Sequence, residues 1–212
     1  MPNFTVDINS ARIATIGLAG LNVVDVRVHG ALDRAPRAEL DAMGGGYGEG
    51  GRGYLLWVAG RALRQGDVVR VTLNDRRALR QGDVVRVTLN DNDDGGDPGK
   101  TIAELYPDEP PSTQTDFSIT PAMAADLRAR PRLHAAFVVQ AMTSSGQRAS
   151  AASDERHTDF SFSVVWDRFQ PQQARVRLAT YCLDDVLART DGTEHLLTTL
   201  ATGDSATFSV VG

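Results

Sequence analysis

Apolar and polar residues alternate in steps of two along much of this chain. Phe4, Val6 and Ile8 alternate with Thr5, Asp7 and Asn9, and Val24, Val26 and Val28 with Asp25, Arg27 and His29. A period of two is the mark of a strand with one buried face. YLLWVAG from Tyr54, AAFVVQAM, FSFSVVW, RVRLATYC and SATFSVV add further strands. Helical signals are few. APRAELDAM, Ala35 to Met43, predicts a short helix, and Thr120 before Pro121 supplies an N-cap and a first-turn proline for a second one that Pro131 stops. LDDVLART predicts one helical turn and TIAELY a short strand or extended piece. Together these elements predict a mainly β fold, an antiparallel β-sandwich with one or two short helices.

One stretch interrupts this regularity. RALRQGDVVRVTLND occupies 61–75 and recurs letter for letter at 77–91, with Arg76 between the copies. The unit is far shorter than the roughly 20 to 50 residues of a solenoid repeat, so it reads as an inserted element. Each copy opens on a turn, LRQGD, in which Gly66 or Gly82 is free to take positive φ. Each then runs into an alternating strand. Val69, Val71 and Leu73 face a core in the first, as Val85, Val87 and Leu89 do in the second. Val68, Arg70, Thr72, Val84, Arg86 and Thr88 face outward and are the candidate interaction residues. Two strands competing for one place predict an edge strand, a hairpin or exchange between molecules. A loop that absorbs the spare copy is also tolerable, because closure entropy grows slowly with length.

The organisation admits two descriptions. PDEPPSTQTD, 107–116, is proline-rich and nearly free of apolar residues, which makes it a linker between an N-terminal β half, 1–106, and a C-terminal half, 117–212. The turn before SATFSVV, Leu200 to Asp204, repeats the L-x-x-G-D of the duplicated units, as two related halves would. One continuous sandwich over 1–212 is the alternative.

Composition narrows the function classes. A formal charge of −5 and a pI near 5.3 argue against a general nucleic-acid binder. No window approaches the roughly 20 apolar residues of a membrane-spanning helix, and MPNFTVDINS lacks a basic leader, so a cytoplasmic protein without a membrane partner is expected. Lys100 is the single lysine among 22 basic residues, which suggests GC-rich bacterial coding. A single cysteine, Cys182, excludes an intrachain disulfide.

Chemical motifs are sparse. Gly48 to Gly53 satisfies G-x-G-x-x-G but precedes a strand, the reverse of a dinucleotide site, and Gly95 to Thr101 lacks the first glycine of a phosphate loop. No cofactor is expected beyond weak calcium. Asn90, Asn92 and Asp94 begin an EF-hand spacing, with Asp97 a substitute ligand, but Thr101 stands where the bidentate Glu belongs. His157, between Asp154, Glu155 and Asp159, is the candidate base, although no nucleophile motif accompanies it. Ser144, Ser145 and Ser153 lie in a small-residue loop, and His134 and His195 lack metal-ligand spacing.

Two functions follow. The first is a non-catalytic interaction or structural protein that binds a protein partner or itself through a sheet edge or surface. The second is a small hydrolase or metal-dependent enzyme that assembles Asp154, Glu155 and His157 in one cleft.

Overall fold

A computed structural model describes residues 3–46, 53–74, 96–108 and 119–211. Among these residues twelve strands form two six-stranded antiparallel sheets that pack face to face. The first half of the chain supplies β1 (Asn3–Ile8), β2 (Ala11–Gly17), β3 (Val23–Ala31), β4 (Ala38–Gly45), β5 (Leu55–Leu63) and β6 (Val68–Asn74). The second supplies β7 (Val138–Thr143), β8 (Arg148–Ala152), β9 (Asp159–Asp167), β10 (Gln173–Tyr181), β11 (Thr193–Ala201) and β12 (Ser205–Val210). Three short helices are α1 (Ile102–Leu105), α2 (Pro121–Ala129) and α3 (Leu183–Ala188). None of them is long and apolar enough to cross a membrane.

The strand orders are β2-β1-β6-β12-β7-β8 in one sheet and β11-β10-β9-β3-β4-β5 in the other. Each sheet therefore takes three strands from each half of the chain. β6 meets β12 at the centre of the first sheet, and β3 meets β9 at the centre of the second. Outward from these seams the two halves read alike, an approximate two-fold arrangement. The first copy of the duplicated unit, expected at an edge or in a hairpin, is β6 and lies between β1 and β12. The second copy, with Val84, Arg86 and Thr88, lies outside the described residues.

Turn chemistry fixes the central strands. Gly66 and Gly203 adopt φ of 89° and 91°, a region open to glycine at little cost. Asp67 accepts from the Arg64 amide at 2.8 Å and Asp204 from the Ala201 amide at 3.1 Å. Each aspartate also holds the neighbouring hairpin, Asp67 through Asn9 at 2.7 Å and Asp204 through Ser144 at 2.9 Å. The L-x-x-G-D turns at 63–67 and 200–204 thus do the same work at equivalent places.

The core lies between the sheets. Val69, Val71 and Leu73 are fully buried, as their alternation requires. Phe208 of β12 stacks on Phe160 and Phe162 of β9, with ring centroids 5.8 and 5.1 Å apart, and Phe137 meets Phe160 at 4.9 Å. This aromatic chain ties the centre of one sheet to the centre of the other.

Two local expectations are corrected. APRAELDAM is not a helix: from Ala38 it is β4, in which Ala38, Leu40 and Ala42 are buried while Glu39, Asp41 and Met43 are partly exposed. Its neighbours β3 and β5 pair with it on both sides, so sheet context overrides the helical propensity of Ala, Glu and Leu. TIAELY is not extended but holds α1, closed by a capping box between Thr101 and Glu104. The expected start at Thr120 and Pro121 does open a helix, with the Thr120 hydroxyl accepting from the Met123 amide at 3.2 Å.

A strap covers the edges contributed by the first half. Asp97 donates its amide to the Thr15 carbonyl of β2 and accepts the Thr15 amide on its carboxylate, and Lys100 exchanges backbone bonds with Leu56 of β5. Among the described residues, β8 and β11 carry no strand on their outer edges.

Candidate functional site

The residues singled out by sequence divide between two places. Val68, Arg70 and Thr72 point from β6 to the outer face of the first sheet, and Val68 is 40% exposed. Strand register sets their neighbours. Arg70 lies opposite Thr207 of β12, Thr207 opposite Met142 of β7, and Met142 opposite Arg148 of β8. On the other side Arg70 faces Asp7 of β1, which faces Arg12 of β2. One lateral row therefore crosses all six strands.

The second-half part of this face is concave. A groove of about 500 Å3 opens there, lined among others by Val68, Gln140, Met142, Arg148, Ser150 and Thr207. The Thr207 and Ser150 hydroxyls donate to the Met142 and Val139 carbonyls, which leaves their oxygen lone pairs facing outward. Arg70 and Arg148 are exposed, and neither forms an ion pair or hydrogen bond among the described residues. Nothing in the linear sequence joins Arg148 to Arg70; only the pairing does.

The second place is the end of the other sheet near β9, β10 and β11. Asp154 accepts from the amides of Arg156 at 2.8 Å and His157 at 2.5 Å, and its other oxygen meets His157 Nδ1 at 2.9 Å. His157 Nε2 lies 3.1 Å from Thr193 Oγ1 at the start of β11. The sequence pair Asp154 and His157 is brought together, with Thr193 as a third member that its distance along the chain had hidden. Glu155 does not join them: its backbone carbonyl accepts from Arg132. His195 contacts Thr180 at 2.8 Å; burial, and then the charge of His157, lower its pKa. Cys182 is buried and serves as the N-cap of α3, taking the Asp185 amide on its sulfur at 3.4 Å.

The amide of His157, then its ring, hold the Asp154 carboxyl down at about 2, from an ordinary value of 3.8. A depressed carboxylate contributes stability above its ordinary value and loses it as pH falls towards the depressed one. Asp154→Asn is therefore expected to melt below wild type at pH 6, with the difference closing by about pH 2 in a pH series of melting temperatures.

For calcium, Asn90, Asn92 and Asp94 lie outside the described residues. Asp97 is engaged elsewhere, its carboxylate accepting from the Thr15 amide at 2.7 Å and its carbonyl from Trp57 Nε1 at 2.8 Å. Among the described residues no three His, Cys, Asp or Glu side chains group to hold a metal ion. No family model, curated protein or solved structure matches this chain.

Proposed function

We propose that this protein is a non-catalytic binding module that receives a segment of a protein partner on the outer face of the β2-β1-β6-β12-β7-β8 sheet. The observation that carries the reading is the groove over β12, β7 and β8 with an arginine to either side that is unpaired among the described residues. Such a face offers apolar contact from Val68 and Met142 and hydrogen-bonding groups from Gln140, Ser150 and Thr207. The outer edge of β8 beside it, which carries no strand among the described residues, offers a side from which a partner can enter.

A panel of peptides selected from a random display library against the purified chain tests this reading. Ser150→Trp, which fills the groove from an exposed position, is expected to abolish binding of the selected peptides while leaving the melting temperature unchanged. Peptides that bind wild type and Ser150→Trp equally would remove the groove from the account. Light scattering beside the titration separates a foreign segment from a second copy of the chain.

A second reading is favoured by the Asp154–His157–Thr193 contacts, which have the order of a carboxylate–imidazole–hydroxyl relay. Under it Thr193 attacks an acyl or phosphonyl centre while His157 takes the hydroxyl proton. A fluorophosphonate probe is then expected to label Thr193 with loss of fluoride, and His157→Ala to prevent it. An unlabelled wild-type chain makes the same contacts a strut between the β8–β9 loop and β11.

A further inference from the structure

We infer, building on the docking face proposed above, that its occupant is an extended acidic segment of a protein partner, with carboxylates four residues apart gripped by Arg70 and Arg148. Three strand spacings separate these arginines, about 14 Å at 4.7–4.9 Å per strand. Side chains at positions one and five of an extended peptide project from the same side about 13 Å apart. A segment lying across β12 and β7 thus brings both carboxylates to guanidinium groups, and its third side chain falls between Thr207 and Met142.

The two-fold arrangement supplies an internal control. Arg70 and Thr207 each stand four residues beyond their turn glycine and pair with one another, so their outer partners, Asp7 and Met142, occupy equivalent positions. Arg12 and Arg148 are equivalent in turn, as the partners of Asp7 and Met142. In the first half Asp7 neutralises Arg12 through a contact of 2.6 Å. In the second half a methionine, 42% exposed, stands where that aspartate would be, and Arg148 meets no acid among the described residues. Asp7 also faces Arg70 in register but gives its carboxylate to Arg12. The row therefore holds three arginines and one aspartate on a chain whose formal charge is −5. Charge is concentrated where a ligand carboxylate would complete the pairs, and arginine is suited to bidentate carboxylate recognition. A nucleic-acid backbone fits less well, since two exposed arginines on an acidic chain release few counterions.

The test uses the full chain and a fluorescent peptide, acetyl-Glu-Ala-Leu-Ala-Glu-amide, followed by anisotropy beside a Gln-Ala-Leu-Ala-Gln control. Arg70→Gln and Arg148→Gln are each expected to weaken the Glu peptide by about tenfold, and Arg175→Gln, on the opposite sheet, to leave it unchanged. Met142→Asp, which installs in the second half the acid that the first half carries, is expected to weaken binding by about tenfold or more, because it neutralises Arg148 and repels the ligand carboxylate. Raised salt should weaken the complex. Equal affinity for the Glu and Gln peptides, both sensitive to Ser150→Trp, would overturn the acidic occupant and keep the docking face. Glu-peptide binding that Arg70→Gln, Arg148→Gln and Ser150→Trp all leave unchanged would overturn both.

Discussion

Replacing Phe208 by Ala is expected to cost about 3–5 kcal/mol, the range for a fully buried phenylalanine. Phe208 is 1% exposed and is the one ring on β12 that stacks against both Phe160 and Phe162 across the core. Its strand also carries the seam to β6 on one side and the pairing to β7 on the other. The cavity would open between the two sheets at the join of the two halves, where neither sheet can close on it without breaking strand pairing. Against a typical total of about 5–15 kcal/mol, one such substitution removes a large part of the stability. A melting temperature lowered by about 6–20 °C in calorimetry is the expected reading. A shift of one or two degrees would mean that the aromatic chain carries little of the packing.

Gly30→Ala is expected to be comparably damaging for a steric reason. A Cβ at Gly30 would stand 2.2 Å from the Arg37 carbonyl oxygen and 2.7 Å from the Phe160 ring. The first contact is backbone and has no rotamer to turn away, and the second is locked against Phe137 and Phe208. Overpacking usually costs about 1–3 kcal/mol, and the rigid backbone contact puts this case at the upper end, about 3 kcal/mol. Gly60→Ala is the comparison: φ is 55° but a Cβ there meets open space, so strain alone applies and a loss of about 1 kcal/mol is expected. Chemical denaturation of the two variants side by side separates the cases.

The inward faces of the strands were legible because a period of two needs only local residues: Val69, Val71 and Leu73 are buried as their spacing requires. The repeated L-x-x-G-D was legible for a similar reason, since a glycine at positive φ followed by an aspartate that accepts a nearby amide is local turn chemistry. β4 was misread because Ala, Glu and Leu favour helix in isolation, and the partners on either side of it come from elsewhere in the chain. The place of β6 at a sheet centre depends on β12, which the chain reaches only at its far end. For the same reason the lateral row from Arg12 to Arg148 has no linear signature. Thr193 was missed because its link to His157 arises from the β10–β11 hairpin.

The groove and the His157 cluster lie on different sheets, so one measurement separates them. Amide chemical shifts of the 15N-labelled chain would be followed during titration with acetyl-Glu-Ala-Leu-Ala-Glu-amide. Saturable shifts confined to β6, β12, β7 and β8 are expected, centred on Thr207 and Met142 and needing about tenfold more peptide in Arg148→Gln. Shifts gathered around His157 and Thr193, or none up to millimolar peptide, would contradict it.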